Sequence, residues 1–191
     1  MVCQNCHKEN RSIAKFCKWC GQPLASTDLL DKLIGLDDVK SQLKNIVDTY
    51  TFLRSRKDIS NARISLNTIV IGETGTGKTA LAEILRDYFY QHKIIEKPKL
   101  TMVDAVDYQR FVDKWDENVK KAQNGILFFD NVQKLLPDKY SNQVNPLDKL
   151  FVEMDKWEDN PIVIISGLTK RLEDFLESNP AVAKRFKYTF R

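Results

Sequence analysis

Gly72-Glu-Thr-Gly-Thr-Gly-Lys78-Thr79 has the residue types and spacing of a loop that wraps a phosphate chain. Glycines let the backbone curl tightly enough to turn successive N–H groups inward, and a helix starting at the loop's end adds the positive end of its dipole. Lys78 has the reach to meet β- and γ-phosphates, and the Thr79 hydroxyl is placed to ligate Mg²⁺. Glu73, Thr74, Gly75, Thr76, Gly77 and Ala80 complete the cradle. The flanks agree: Leu66–Ile71 is an apolar run of strand length, and Leu81, Leu85, Tyr88 and Phe89 fall on one face of a helix. A chance Gly/Thr turn before a helix would have to match every fixed position of G-x-x-x-x-G-K-[ST] by coincidence. The chemistry indicated is the binding of a nucleoside triphosphate.

A second carboxylate belongs to the same chemistry. Gly125-Ile-Leu-Phe-Phe-Asp130 is a buried-strand run that ends in an acid. Beside a phosphate loop, such an acid can hold the hydration shell of Mg²⁺ and the Thr79 hydroxyl. Alone the pattern means little; behind an intact loop it is specific.

The four cysteines form a separate signal. Cys3-x-x-Cys6 and Cys17-x-x-Cys20, ten residues apart, can bring four thiolates around one tetrahedral Zn²⁺. Gly21 suits a turn that aims N–H groups at a thiolate. So short a segment cannot bury enough apolar surface to fold alone, so metal binding would supply most of its folding energy. Two disulfides or free thiols are the competing readings. His7 adjoins Cys6 but is read as solvated, because four sulfurs already close a structural site. Lys8, Arg11, Lys15, Lys18 and an exposed Trp19 make the segment basic, which suits a protein or a nucleic acid, although solvated lysines are the plainer explanation.

The elements that must position these groups follow from periodicity. Residues 22–31 read as a linker. Val39, Leu43, Ile46, Val47, Tyr50 and Leu53 recur at helical spacing, with Asp37 placed to start the helix. Residues 54–67 read as a loop, 99–103 as a strand ending at Asp104, and 113–123 as a helix. Leu147, Leu150, Phe151, Met154 and Trp157 mark a further helix. Residues 162–166 read as a strand, 172–177 as a short helix and 187–191 as a last strand. Apolar strands alternating with helices imply a parallel sheet covered on both faces, with ligands outside the carboxyl ends of the strands. The phosphate loop, Asp104, Asp130 and residues 166–169 then share one rim.

The 191 residues allow one moderate domain and a small appendage. A net charge of +4 is too small to argue for nucleic acid by itself. No apolar run is long enough to span a bilayer, and the N-terminus lacks the pattern of a signal peptide, so a cytoplasmic location and no membrane partner are expected.

Leu33-Ile-Gly-Leu-Asp-Asp-Val-Lys40, the phosphate loop, residues 120–130, 162–167 and Glu177-Ser-Asn-Pro-Ala-Val-Ala-Lys-Arg-Phe186 together resemble an AAA+ ATPase core. The similarity is to the branch of red-type rubisco activases and stage V sporulation protein K. The first segment is similar to short N-terminal zinc ribbons. The resemblance implies a P-loop NTPase three-layer α/β sandwich with a five-stranded parallel sheet over 33–191, the AAA+ large subdomain, with its helical lid outside this chain. A small four-cysteine zinc ribbon over 1–24 and a linker over 25–32 would precede it. It implies ATP as ligand, ADP as product, a hexamer-like ring, and remodelling of a protein partner. Gly35 would flank the adenine, Thr169 would take a polar sensor position, and Arg185 would reach the γ-phosphate of a neighbouring subunit. Two departures stand out. Asn131 occupies the place where the family has a water-activating glutamate, so hydrolysis is expected to be slow unless Asp104 or Asp107 substitutes. The family's Gly-x-Tyr-Ile-Gly pore loop is missing, which leaves Tyr108 and Phe111 as the aromatics available to grip a polypeptide.

Three functions follow in order: an AAA+ ATPase acting on a protein recruited through the ribbon; a nucleotide-dependent switch or scaffold with little turnover; and, last, a DNA-acting loader.

Overall fold

Short apolar runs and helical segments alternate through residues 66–191, and the chain uses each such run as one strand of a single sheet. The computed structural model describes residues 2–3, 5–11, 14, 16–22, 29–55, 65–136, 145–157 and 160–191. Lys15, residues 23–28 of the linker and residues 56–64 of the expected loop lie outside them. The chain divides into two compact units, Met1–Leu36 and Asp37–Arg191.

In the larger unit, α1 (Asp37–Ser55) precedes β1 (Thr68–Ile71), α2 (Lys78–Gln91), β2 (Leu100–Asp104), α3 (Tyr108–Asp113), α4 (Trp115–Ala122) and β3 (Ile126–Asp130). Then come α5 (Asp148–Met154), β4 (Ile162–Gly167), α6 (Thr169–Ser178), α7 (Pro180–Ala183) and β5 (Tyr188–Phe190). The strands are all parallel in the order β2-β3-β4-β1-β5. Every residue of β1 and β4 is buried, Thr68 and Ser166 included, as expected of largely apolar strands in a sheet covered on both sides. This is the three-layer α/β sandwich and five-stranded parallel sheet that the sequence implied.

Alternation along the strands turns Ile69, Ile71, Leu127, Phe129, Val163 and Ile165 into one core with residues of α3 to α6. Phe129 is its centre. Tyr108 and Phe111 meet its ring edge-on at 5.9 and 5.4 Å, and Trp115 meets Phe111 at 5.3 Å. Each such pair adds about 0.5–1.5 kcal/mol beyond area burial. The next residue, Asp130, is thereby fixed in place.

The expected helix over 113–123 is α4, Trp115–Ala122, and a further helix not expected from the sequence, α3, lies just before it over Tyr108–Asp113. α3 and α4 are separated at Lys114, and Phe111 and Trp115, four residues apart, both face the core. Tyr108 and Phe111 are 3% and 6% exposed, and the Tyr108 hydroxyl donates to the Pro146 carbonyl at 2.8 Å. They are core residues and not aromatics that could grip a polypeptide. The first helix runs to Ser55, two residues into the expected loop, and α6 begins at Thr169, three residues before the expected start.

Asn67, 4% exposed, stitches three strands. Its side-chain oxygen accepts from Val163 N–H at 2.8 Å, and its carbonyl accepts from Lys187 N–H at 3.0 Å, at the entry to β5. Asn67→Ala strips a buried amide of its acceptor, so unfolding in urea should show a loss of about 1–3 kcal/mol.

Candidate functional site

The phosphate-loop residues lie between β1 and α2 as a turn whose shape depends on glycine. Gly75 and Gly77 have φ of 83° and 86°, in the left-handed region. A Cβ on Gly72 would come within 2.6 Å of Thr76 Oγ1. Thr76 closes the turn, its N–H and hydroxyl both donating to the Glu73 carbonyl at 3.3 and 2.9 Å. Lys78 Nζ folds over it, donating to the carbonyls of Gly72 at 2.9 Å and Glu73 at 2.8 Å. Glu73, Thr74 and Ala80 are exposed.

Thr79, on the first turn of α2, donates its hydroxyl to Asp130 Oδ2 at 3.2 Å, across 51 residues of chain. The other carboxylate oxygen, Oδ1, accepts from the Asn131 N–H at 2.9 Å and from the Ser166 hydroxyl. Ser166, fully buried near the end of β4, lies on the rim where the sequence placed it, and its bond to Asp130 is what the structure adds. Gly72 N–H also donates to the Gly167 carbonyl at 3.2 Å, so the ends of β1, β3 and β4 meet. A hydroxyl and a carboxylate oxygen brought this close are hard donors of the kind Mg²⁺ takes, through one or two carboxylates and water.

Asn131 has φ 57° and ψ 34°, a left-handed conformation that asparagine and aspartate tolerate better than other side chains. Its amide donates to Asp104 Oδ2 at 2.7 Å. Asp104 is the register partner of Asp130 on the neighbouring strand, and its Oδ1 accepts from Val106 N–H at 3.0 Å. The Val106 N–H, the Asn131 amide and the Lys134 charge hold its carboxyl below the usual carboxylate range against the pull of burial. Asp107 is exposed and bound to Arg110 at 3.1 Å.

Thr169 opens α6, two residues past Gly167. A buried glutamine fixes the turn before it: Gln133 Oε1 accepts from Leu168 N–H at 3.3 Å. Nothing in the sequence pattern set Gln133 apart from its neighbours. Arg185 grips Asp155 with two bonds, 2.9 and 2.6 Å, and donates a third to the Ala181 carbonyl at 2.7 Å. That guanidinium holds Asp155 below the usual carboxylate range. Gly35 lies in the first unit with φ 70°.

In that unit the two C-x-x-C segments adopt the same turn. Cys3 N–H donates to the Lys8 carbonyl and His7 N–H to the Cys3 carbonyl; Cys17 N–H donates to Gln22 and Gly21 N–H to Cys17. His7 and Gly21 are equivalent, with φ of 54° and 71°. His7 therefore has a backbone role, is exposed, and stands outside the sulfur cluster. The four Sγ atoms lie within 4.8 Å of one another, with Cys3–Cys20 at 3.6 Å and Cys6–Cys17 at 3.5 Å. All four cysteines are free of disulfides. Thiolates about 2.3 Å from a common tetrahedral centre would stand about 3.8 Å apart, so the cluster fits one metal ion. Burial opposes ionisation of Cys17, but the N–H groups of Trp19 and Cys20 and the Asn10 amide outweigh it and lower the thiol's pKa. Lys8 and Lys18 each place Nζ 4.7 Å from the Trp19 ring.

Fold and site define a P-loop α/β protein of the nucleotide-binding class. The family described as "ATPase family associated with various cellular activities (AAA)" matches residues 68–191, and the chain belongs to it. Among its relatives, the ESX-1 secretion system protein EccA1 of Mycolicibacterium smegmatis is 28% identical over 169 residues, 82% of this chain and 29% of that protein. A protein CfxQ homolog of Guillardia theta is 30% identical over 168 residues, 83% of this chain and 57% of that one. The chloroplastic ribulose bisphosphate carboxylase/oxygenase activase of Cyanidioschyzon merolae is 29% identical over 167 residues, again 83% and 57%. The similarity to the rubisco-activase branch thus holds, and the chain spans between 29% and 57% of the length of these relatives. In fold it is similar to a chain of the E. coli MS115-1 HORMA:CdnC:Trip13 complex, with TM-score 0.56 and 20% identity over 85% of this chain and 64% of that one. It is also similar to Thermotoga maritima RuvB, with TM-score 0.54 and 20% identity over 84% and 46%. Among the described residues no helix is long and apolar enough to cross a membrane.

Gln133→Met keeps the bulk but removes the acceptor for Leu168 N–H. Hydrogen exchange should speed up at the Leu168 amide while amides in β1 stay protected, and stability should fall by about 1–3 kcal/mol.

Proposed function

We propose that this AAA protein binds ATP with Mg²⁺ at Gly72–Thr79, hydrolyses it, and uses the cycle to remodel a protein partner recruited through its N-terminal ribbon. The observation that carries the reading is the Thr79–Asp130 hydrogen bond, which joins the phosphate loop to the acid at the end of β3. Loop N–H groups and the α2 N-terminus receive the phosphates, and Lys78 brings the positive charge that β- and γ-phosphates need. Thr79 and Asp130 hold the magnesium ion, which when bound neutralises charge on the phosphates. Ser166 and the Asn131 N–H keep Asp130 turned toward Thr79. Thr169, on the turn that Gln133 pins, senses the γ-phosphate.

Arg185 acts on the nucleotide of the next subunit in a ring, in the cytoplasm. To do so it exchanges its bond to Asp155, a partly exposed ion pair of the weak kind. A protein client is favoured because one relative bears the name of an activase of another enzyme. The ribbon holds Zn²⁺ on Cys3, Cys6, Cys17 and Cys20, four sulfur ligands that close a structural site.

A second reading, a nucleotide-dependent switch with little turnover, is favoured by one residue. Asn131 presents an amide where this family's glutamate would stand, and loss of general-base help costs about 10²–10⁴-fold in rate.

Calorimetry with MgATP should show binding by the wild-type chain and none by Lys78→Ala; no heat from well-folded wild type would end the nucleotide reading. Steady phosphate release separates ATPase from switch. Elemental analysis should find about one zinc per chain, and Cys17→Ser should lose it and melt the N-terminal unit alone. Zinc-free protein after metal-replete expression would overturn the ribbon assignment.

A further inference from the structure

We propose that Asp104 is the carboxylate that activates the attacking water, with Asn131 as its positioning residue. The inference rests on the reading that the chain hydrolyses ATP, and it names the group that would make turnover possible without a glutamate at 131.

The left-handed backbone at Asn131 sends its side chain toward β2, where the amide meets Asp104 Oδ2 at 2.7 Å. Asp104 and Asp130 are paired in register on adjacent parallel strands, whose backbones run about 4.8 Å apart. A carboxylate therefore stands one strand over from the acid that contacts Thr79, and one hydrogen bond beyond the amide at the glutamate's position. Asp104 also caps the 3-10 turn Ala105–Asp107 by accepting from Val106 N–H. That cap needs one oxygen and is filled as well by serine, threonine or asparagine. The second oxygen, held from another strand, is what capping leaves unexplained. Each carboxylate oxygen has two acceptor sites, so one donor on each leaves capacity for a water. Asp107, the other candidate, is exposed and engaged by Arg110.

In the step itself, the water oxygen bonds to the γ-phosphorus while the bond from that phosphorus to the β–γ bridging oxygen breaks. The electron pair of the broken bond leaves on ADP. One water proton passes to Asp104 and on to solvent, and the other remains on inorganic phosphate.

The test uses the full chain and four variants: Asp104→Asn, Asn131→Ala, the transposed pair Asp104→Asn with Asn131→Asp, and Asp107→Asn. The measurements are kcat and KM for MgATP, affinity for a fluorescent ATP analogue, and melting temperature without nucleotide. Asp104→Asn should lower kcat about 10²-fold or more with analogue affinity unchanged, because no phosphate contact is lost. Asn131→Ala should lower kcat by less, again at constant affinity. The transposed pair returns a carboxylate to the same hydrogen bond from the other side, in a backbone conformation that aspartate tolerates, and should recover part of the lost kcat. Asp107→Asn should match wild type.

Wild-type kcat in Asp104→Asn overturns the proposal, as does a loss of affinity that accounts for its defect. Should Asp104→Asn melt well below wild type, the transposed pair decides, and no recovery there overturns the proposal. A wild-type chain that binds no ATP sinks the underlying reading instead. One that binds ATP without turning it over removes Asp104's role and leaves the switch.

Discussion

Asp130 accepts hydrogen bonds from three elements at once: Thr79 at the start of α2, Ser166 at the end of β4, and the N–H of Asn131 just beyond β3. Those contacts draw the phosphate loop, the central strand and the turn into α6 to one point. A side chain can do this only if its backbone is immobile, and the packing behind it supplies that. Phe129, on the opposite face of the same strand, is closed in by the rings of Tyr108 and Phe111. Close-packed aromatics of this kind leave little room for a strand to slide or tilt. An aromatic cluster of the core thus stands next to the carboxylate that joins these elements.

Around that point the polar groups are arranged in two layers. Thr79, Asp130 and Lys78 face the loop where a triphosphate would lie. Asn131, Asp104, Ser166 and Gln133 hold those groups or the turns that carry them. The outer layer depends on backbone in unusual conformations, as at Asn131, and on bonds between residues distant in the chain. Arg185 stands apart from both, held by Asp155, and its proposed action on a neighbour's nucleotide requires that contact to open.

The first unit follows a different physical rule. Its two knuckles repeat one hydrogen-bond pattern around four sulfurs, and among the described residues they bury little besides the cysteines themselves. Where apolar burial is so small, a metal ion on the four sulfurs would supply the order that packing does not. The Trp19 face, flanked by Lys8 and Lys18, remains available at the surface with the tryptophan 57% exposed.

What could be read from the residues alone was whatever depends on local spacing. The Gly72–Thr79 loop, the two C-x-x-C pairs and the five apolar strands all carry their geometry within a few consecutive positions, since glycine torsions, ligand reach and strand burial are local properties. α3 was missed because its six residues hold only Tyr108, Phe111 and Val112 as apolar positions, too short a run for a helical period to show. Tyr108 and Phe111 looked like aromatics open to a polypeptide until the sheet covered them. The bonds of Ser166 to Asp130, of Gln133 to the turn before Thr169 and of Asn131 to Asp104 were decided in three dimensions. Hydrogen bonds between strand ends 27 to 36 residues apart depend on strand order and register, and no run of neighbouring residues contains that information.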